Sequence, residues 1–337
     1  MKAVTYQGKY AVMVKKVAFP TIQDPEDVII RITSTAICGS DLHLYQGNFP
    51  LPIGYQIGHE PMGIVEEIGP KVTKVKVGGD RVVVPFTMAC GKCPYCQNHH
   101  ESQCDEANPH YDSGGYLGYS EKFGNYPGGG QAEYLRIPFG NYTPFIIPED
   151  CEVEDESLLL LSDVLPTAYW SVENAEVKSG DTVIVLGCGP VGLMTQQFAW
   201  KKGAERVIAV DYIPYRLAFA KKWNNCETYD FTQYEDMGEY LKEITKGGGA
   251  DKVIDCVGGM DGKKSPLEFM EQKFKLQGGT LGPIQIATKA IKKCGTVQLT
   301  GVYGGNYNAF PLGAFFSRNI QLKMGASPCS GIYVYYL

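Results

Sequence analysis

Two patterns of apolar and polar positions follow one another along the sequence. Up to about residue 150, short apolar runs broken by Gly and Pro, such as DVIIRITSTAIC at 27–38 and DRVVVPF at 80–86, predict β-strands. From about residue 152, apolar strands such as DTVIVLG (181–187) alternate with helical segments such as VGLMTQQFAWKKG (191–203). Alternating strands and helices predict a parallel sheet with helices on both faces. We expect an α/β protein with a mostly-β domain and a doubly wound parallel-sheet domain.

The same pattern sets the expected domain boundaries. It places the first domain at residues 1–152 and the second at 153–303. Near the end of the second domain, IQIATKAIKKCG (284–295) is expected to be a helix that precedes a strand in TVQLTGVYGG. An insertion at 260–283 interrupts the alternation of strands and helices.

Composition and charge narrow the class of protein. The 337 residues are 44% hydrophobic and 20% charged, which is typical of a globular protein. A net charge of −6, without a Lys or Arg run, disfavours nucleic acid or an anionic membrane as partner. The N-terminus lacks the apolar core of a signal peptide, and no apolar run approaches a membrane span. We therefore expect a cytoplasmic, reducing location, where clustered cysteines more often bind metal than form disulfides.

A glycine-rich loop marks a candidate dinucleotide site. Gly187, Gly189 and Gly192 have GxGxxG spacing between a predicted strand and helix, the context that this Rossmann fingerprint requires. Asp211 ends the next strand, where a carboxylate accepts hydrogen bonds from ribose hydroxyls and repels a 2′-phosphate. The expected cofactor is NAD. Arg216 can reach the adenosine end of the cofactor, although a helix face exposed to solvent also explains an arginine there. For the glycine loop, the alternative explanation is a tight turn that binds no ligand.

Four of the 11 cysteines fall within 15 residues, in CGKCPYCQNHHESQC. Cys90, Cys93 and Cys96 have C-x2-C-x2-C spacing, and Cys104 follows after seven residues. Four thiolates can close a tetrahedral shell around zinc, which leaves no open position and is therefore structural. We interpret the cluster as a structural zinc site, with an iron–sulfur cluster, redox thiols, a disulfide or unbound cysteines as alternatives.

A second set of possible ligands is dispersed. Cys38, His59 and Glu60 offer a thiolate, an imidazole and a carboxylate, which are the ligand types of an open catalytic zinc site. Taken alone, Cys38 is better explained as a small buried residue and His59 as a hydrogen-bonded core histidine.

The joint pattern resembles a known family. G-H-E-x2-G-x5-G-x2-V, from Gly58 to Val72, matches the signature of zinc-containing alcohol dehydrogenases. The four-cysteine segment and the glycine loop follow in that family's order. The chain resembles the zinc-dependent medium-chain dehydrogenases from MKAV to about Gly325. The resemblance implies a GroES-like catalytic domain, a Rossmann NAD-binding domain, two Zn²⁺ per chain and a homotetramer or dimer.

Within the family, the likeness is to the branch of glutathione-independent formaldehyde dehydrogenases. It lies in GGGQAEYLRIPFGNYTPFIIP, LLLLSDVLPTAYWSV and the insertion before TVQLTGVYGG. In that branch an aspartate completes the catalytic zinc shell, and its counterpart is Asp163; an N-cap is the alternative role. The resemblance also implies that Thr167 and Val302 contact the nicotinamide.

The resemblance implies a reaction as well. Zinc on Cys38, His59 and Asp163 would act as a Lewis acid on an alcohol, whose hydride passes to NAD to give an aldehyde or ketone. Ser40 and His43 would carry the proton away, unless they only satisfy loop backbone. Glu60 would exchange with zinc-bound water or support the ligands.

The end of the chain departs from the family pattern. Residues 304–337 are expected to return in part to the first domain, but ASPCSGIYVYYL stands where the family continues with a helix and a strand, as in a truncated end. We expect an NAD-dependent alcohol dehydrogenase. The alternatives are formaldehyde oxidation or dismutation with tightly bound NAD, and an inactive NAD-binding zinc protein with a structural or regulatory role.

Overall fold

Two units divide the chain. The computed structural model describes residues 1–48, 51–119, 123–124, 128–246, 248–261, 279–304 and 306–333, so most of the insertion at 260–283 lies outside the described residues. Unit 1 comprises Met1–Pro166 with Ser327–Leu337, and unit 2 comprises Thr167–Ala326. These boundaries differ from the expected 152/153 and 303/304. The first boundary differs because Leu158, Leu159 and Leu161 pack into the core of unit 1. At the second boundary, unit 2 continues to Ala326, so only the part of 304–337 from Ser327 onward returns to unit 1.

Unit 1 is built from short strands. They are β1 (Lys2–Gly8), β2 (Ala11–Lys16), β3 (Val28–Thr35), β4 (Pro61–Ile68), β5 (Arg81–Val83), β6 (Thr87–Met88), β7 (Gly115–Tyr116), β8 (Tyr134–Ile137) and β9 (Phe145–Ile146). Within the described residues, β8-β3-β4-β5-β9 form an antiparallel sheet of five strands, and β1-β2 and β6-β7 form two-stranded pairs. The mostly-β architecture expected for this half is confirmed.

The core of unit 1 extends from the sheet to the cysteine segment. Val28 and Ile30 of β3 and Val82 of β5 are fully buried, and they belong to one apolar cluster with all four clustered cysteines. Buried β-branched side chains favour the extended backbone of these strands. The helices of unit 1 are α1 (Gly39–Tyr45), α2 (Pro94–Gln97), α3 (Asp155–Leu158), the first residues of α4 (Val164–Asn174) and, after the return, α11 (Cys329–Ile332).

Unit 2 is a parallel sheet between helices. Its strands are β10 (Thr182–Leu186), β11 (Arg206–Asp211), β12 (Glu227–Asp230), β13 (Ala250–Asp255), β14 (Ile291–Leu299) and β15 (Gln321–Met324). In the described chain they pair in the order β12-β11-β10-β13-β14-β15, and every pair is parallel. Alternate residues of β10 enter two different cores, because helices cover both faces: Ile184 lies in one core and Val183 and Val185 in the other. The doubly wound α/β prediction is confirmed.

The helices of unit 2 follow the predicted order, with one correction. They are most of α4, α5 (Pro190–Lys201), α6 (Pro214–Trp223), α7 (Met237–Ile244), α8 (Gly258–Asp261), α9 (Gly282–Ala290) and α10 (Leu312–Ser317). The helix expected over 284–295 ends at Ala290. Residues from Ile291 belong to β14, because Ile291 pairs with Ala250 of β13 and Cys294 has a left-handed backbone (φ 59°). Among the helices in the described ranges, none combines the length and apolar character needed to cross a membrane.

Candidate active site and metal centres

The four clustered cysteines converge on one point in unit 1. Their sulfur atoms all lie within 4.8 Å of one another, and all four residues are buried. The Cys90 and Cys96 sulfurs are 3.9 Å apart, and those of Cys93 and Cys104 are 3.8 Å apart. A tetrahedron with Zn–S bonds of about 2.3 Å has an edge of about 3.8 Å, so the cluster has the size of a zinc shell. The separations are far longer than a disulfide bond of about 2.05 Å.

Backbone amides around this cluster donate hydrogen bonds to the cysteine sulfurs. The amides of Lys92 and Cys93 donate to Cys90 Sγ at 3.3 and 3.2 Å, and the Cys90 amide donates to Cys104 Sγ at 3.3 Å. Burial opposes ionisation of Cys93, but backbone and side-chain hydrogen bonds from its neighbours lower its pKa to about 7. Burial raises the pKa of Cys104 to about 11. Sulfurs that accept amide hydrogen bonds at this spacing fit a bound cation.

A second cluster joins residues that are far apart in sequence. Cys38, His59, Glu60 and Asp163 each offer one ligand atom, and these atoms lie within 4.8 Å of one another. Asp163 Oδ2 is 3.9 Å from Cys38 Sγ and 3.5 Å from His59 Nε2, and Glu60 Oε1 is 3.9 Å from the same nitrogen. One thiol, one imidazole and two carboxylates therefore converge in unit 1.

Element ends place these four side chains. Cys38 is the N-cap of α1, and His59 and Glu60 directly precede β4. Asp163 ends a 3₁₀ turn (Leu159–Ser162) and directly precedes α4, which is the N-cap position considered from the sequence. From that position Asp163 Oδ2 faces both His59 Nε2 and Cys38 Sγ.

The electrostatics of this cluster fit a cation. Burial, and next the Asp163 carboxylate, raise the pKa of Glu60 to about 7. Burial also raises the pKa of Cys38. His59 is fully buried, yet Tyr119, Asp163 and Asp41 raise its pKa well above the usual range. Glu60 Oε1 is buried without a hydrogen bond to any described residue, which is the state that a bound metal ion would relieve.

Asp41 is a buried carboxylate that the sequence analysis missed. Its Oδ2 accepts the Cys38 amide at 2.9 Å and Gln131 Nε2 at 3.3 Å, and its Oδ1 is 3.4 Å from His59 Nδ1. It therefore lies against two of the four cluster residues, and it approaches His59 from the Nδ1 side, opposite the Nε2 atom that faces the cluster. The available signal was its place at the third helical position after the N-cap Cys38, where a side chain reaches back to the cap amide.

Ser40 and His43 both lie on α1. Ser40 Oγ is 3.3 Å from His59 Nε2, so the structure brings it to the ligand atoms. His43 is buried and lies three residues further along the same helix. The sequence analysis missed Tyr119, whose hydroxyl donates to Ser40 Oγ at 2.7 Å. Burial raises the pKa of Tyr119, so its hydroxyl stays a donor.

The glycine loop of unit 2 has the form that its spacing predicts. Gly187 follows β10 with a left-handed backbone (φ 93°), and Gly189 is the N-cap of α5. A Cβ on Gly192 would overlap the Gly187 carbonyl, so only glycine allows α5 to start this close to the loop. The loop amides lie at the N-terminus of a helix of 12 residues, which suits a pyrophosphate.

The remaining residues assigned to the dinucleotide also lie in unit 2. Asp211 ends β11, and its carboxylate accepts the backbone amides of Cys188, Tyr212 and Ile213 at 2.7–3.0 Å. Arg216 approaches the loop rather than solvent alone, because its Nη1 lies 4.0 Å from where a Cβ of Gly189 would be.

Thr167 and Val302 are the two positions assigned to the nicotinamide. The Thr167 carbonyl accepts the Ser171 hydroxyl, and the Val302 carbonyl accepts the Gly259 amide at 3.1 Å. Val302 is 45% exposed, so it is available to a ligand.

Comparison with known proteins identifies the family. The pattern of the alcohol dehydrogenase GroES-like domain matches residues 24–149, and that of the zinc-binding dehydrogenases matches 190–270. The chain belongs to the zinc-dependent medium-chain alcohol dehydrogenase family, as the sequence predicted.

Individual relatives agree with this assignment. An uncharacterized zinc-type alcohol dehydrogenase-like protein of Bacillus subtilis is 59% identical over 329 residues, which cover 97% of this chain and 86% of that protein. A glutathione-independent formaldehyde dehydrogenase of Pseudomonas aeruginosa is 38% identical over 265 residues, covering 76% of this chain and 65% of that enzyme. Among solved structures, alcohol dehydrogenase TADH from Thermus sp. ATN1 superposes with a TM-score of 0.83 at 32% identity, covering 100% of this chain and 87% of that one.

Proposed function

We propose that this protein is a zinc- and NAD-dependent oxidoreductase that oxidises a primary or secondary alcohol to an aldehyde or ketone. The observation that carries the proposal is the convergence of Cys38, His59, Glu60 and Asp163, with ligand atoms within 4.8 Å, beside the Ser40 hydroxyl. A thiolate, an imidazole and a carboxylate around one point are the donors of an open catalytic zinc site.

Cys38, His59 and Asp163 would hold the catalytic zinc. When bound, zinc supplies a Lewis acid that lowers the pKa of an alcohol hydroxyl, and NAD supplies the hydride acceptor. Glu60 is the fourth donor within reach, and it would either serve as an alternative ligand to the metal or stabilise the other ligands. Asp41 would help to keep His59 Nε2 directed at the cluster, since its carboxylate lies 3.4 Å from Nδ1.

The proton of the alcohol needs a path out of the site, and α1 offers one. Ser40 Oγ lies at the cluster, 3.3 Å from His59 Nε2, where it can accept the proton of an alcohol hydroxyl while passing on its own. His43 is three residues further along α1, and positions i and i+3 are neighbours on a helix surface. We assign His43 as the next group to take the proton.

The four-cysteine cluster would hold a second, structural zinc. All four donors are thiols, and the cluster has the size of a closed tetrahedral shell, which leaves no position for substrate. The cluster lies in the main core of unit 1, so the metal would stabilise that unit rather than react.

NAD would bind through unit 2. Gly187, Gly189 and Gly192 would accommodate the pyrophosphate, Asp211 would accept the ribose hydroxyls, and Arg216 would contact the adenosine end. Thr167 and Val302 would contact the nicotinamide. A cytoplasmic location and assembly into a homodimer or homotetramer stay predictions.

Formaldehyde oxidation or dismutation with retained NAD is the second candidate. It is favoured by the 38% identity to a glutathione-independent formaldehyde dehydrogenase. The two candidates differ in whether turnover requires added free NAD.

The test is NADH formation by the purified, zinc-loaded protein with a panel of alcohols and formaldehyde. We expect turnover that requires added NAD, and Cys38→Ser should abolish it without loss of fold. Cys151→Ser, at a partly buried cysteine of unit 1 outside both clusters, is the matched control and should keep activity. Folded wild type with both zincs and NAD bound, yet without turnover of any substrate, would instead support the inactive zinc protein.

A further inference from the structure

The Tyr119 hydroxyl has a specific position beside the proposed relay. It donates to Ser40 Oγ at 2.7 Å, which is shorter than the 3.3 Å between Ser40 Oγ and His59 Nε2. The Tyr119 ring also lies against the His59 imidazole, with centroids 5.1 Å apart. Tyr119 thus contacts both a proposed ligand and the first group of the proton path.

Backbone packing fixes this position. Gly118, directly before Tyr119, has a left-handed backbone (φ 71°), and a Cβ there would overlap the carbonyl of Gly58, directly before His59. The two backbones therefore lie in contact one residue before each of the two side chains. Tyr116 and Phe123 pack on the Tyr119 ring at 6.3 and 5.8 Å between centroids. An aromatic side chain held on several sides loses little further freedom when it positions a partner.

The hydrogen-bonding positions of a serine hydroxyl give the contact between Tyr119 and Ser40 a direction. A serine hydroxyl has one proton and two acceptor positions. Tyr119 fills one acceptor position of Ser40. His59 Nε2 faces the ligand cluster, so when it holds metal it cannot accept the Ser40 proton. The second acceptor position of Ser40 is then left for the alcohol hydroxyl, and its proton for the next group of the relay.

We propose that Tyr119 is a positioning residue that orients the Ser40 hydroxyl, so that Ser40 accepts the alcohol proton at one defined position and releases its own in another direction. This inference rests on the proposed function. It adds to the relay a residue that lies 79 positions from Ser40 and belongs to a loop, whereas Ser40 lies on α1.

The experiment compares Tyr119→Phe with Tyr116→Phe in the zinc- and NAD-loaded protein. Tyr119→Phe removes only the hydroxyl. Tyr116 belongs to the same aromatic cluster, but its hydroxyl points to the Ser102 carbonyl at 3.5 Å, so Tyr116→Phe is a matched control. Since a neutral hydrogen bond is worth about 0.5–1.5 kcal/mol, we expect Tyr119→Phe to lower kcat about 3- to 10-fold. The solvent deuterium isotope effect on kcat should rise. Tyr116→Phe should leave these values unchanged.

A binding measurement without turnover supplies the second readout. 2,2,2-Trifluoroethanol is an alcohol that resists oxidation, and its affinity for the holoprotein can be measured by titration calorimetry. We expect Tyr119→Phe to weaken the binding of trifluoroethanol about 3- to 10-fold, because the Ser40 hydroxyl is no longer oriented. In a Ser40→Ala background the effect of Tyr119→Phe should vanish, because the oriented group is gone.

The outcomes separate this inference from the function on which it rests. If wild type oxidises alcohols but Tyr119→Phe keeps its kcat, isotope effect and trifluoroethanol affinity, the positioning role is wrong and the function stands. An undiminished effect of Tyr119→Phe in the Ser40→Ala background would also overturn it, since the tyrosine would act by another route. If wild type neither binds nor oxidises alcohols, the proposed function fails and the relay with it.

Discussion

Replacing Asp41 by Asn tests how the catalytic ligands are held. The Asp41 carboxylate accepts the Cys38 amide at 2.9 Å through Oδ2 and faces His59 Nδ1 at 3.4 Å through Oδ1. Asp41→Asn keeps the size and shape of the side chain but turns one acceptor oxygen into an NH₂ donor. Whichever way the amide lies, either Cys38 or His59 faces a donor in place of an acceptor.

The expected magnitude follows from these contacts. A hydrogen bond to a charged group contributes about 1.5–3 kcal/mol, and each 1.4 kcal/mol changes an equilibrium constant about tenfold. Asp41→Asn should therefore weaken zinc at the Cys38–His59–Asp163 site by about 10- to 100-fold, the range found for partners that orient metal ligands. None of these contacts of Asp41 involves the four clustered cysteines, so the zinc at that site should be retained.

The assay is competition for zinc against a chelator of known affinity, with bound metal measured by elemental analysis. Asp27→Asn is the matched control: Asp27 is a buried carboxylate of unit 1 that accepts the amides of Gln23 and Asp24 and pairs with Arg136 at 3.0 Å. It should lower stability without changing zinc affinity. Wild-type zinc affinity in Asp41→Asn, or an equal loss in Asp27→Asn, would refute the reasoning.

Three further substitutions probe other parts of the molecule. Cys93→Ser should lower the unfolding midpoint by roughly 6–12 °C if loss of the structural metal costs about 3 kcal/mol; a calorimetric midpoint equal to that of wild type would contradict a structural role. Asp211→Gly should raise kcat/KM for NADP relative to NAD at least about tenfold by removing repulsion of the 2′-phosphate; unchanged discrimination in steady-state kinetics would count against its ribose role. Tyr303→Phe removes the hydroxyl that donates to the fully buried Asp255 at 2.7 Å and should cost about 1.5–3 kcal/mol in denaturant unfolding; a loss no greater than that of Tyr307→Phe, at the neighbouring ring, would argue against this bond.

Most of the predictions from the sequence rest on residues that are close together in the chain. The glycine loop lies within one strand–turn–helix segment, and the four cysteines fall within 15 residues. Contiguous spacing is enough to bring such side chains together, because one or two turns set their geometry. The parallel sheet followed from apolar strands that alternate with helices, which is also a local signal.

Contacts between distant segments explain what was missed. Asp163 lies 125 positions from Cys38, and only the family resemblance placed it beside that cysteine. Tyr119 was not found at all, since its contact with Ser40 depends on backbone packing between Gly118 and Gly58. The helix expected over 284–295 was too long because pairing of Ile291 with β13 outweighs the helical pattern.

The zinc content of purified wild type and of Cys38→Ser, measured per chain by elemental analysis, tests the central claim most directly. The account predicts two zinc ions in wild type and one in Cys38→Ser, with the remaining ion on the four cysteines. A single ion in wild type that disappears in Cys93→Ser and persists in Cys38→Ser would contradict a catalytic zinc at Cys38, His59 and Asp163.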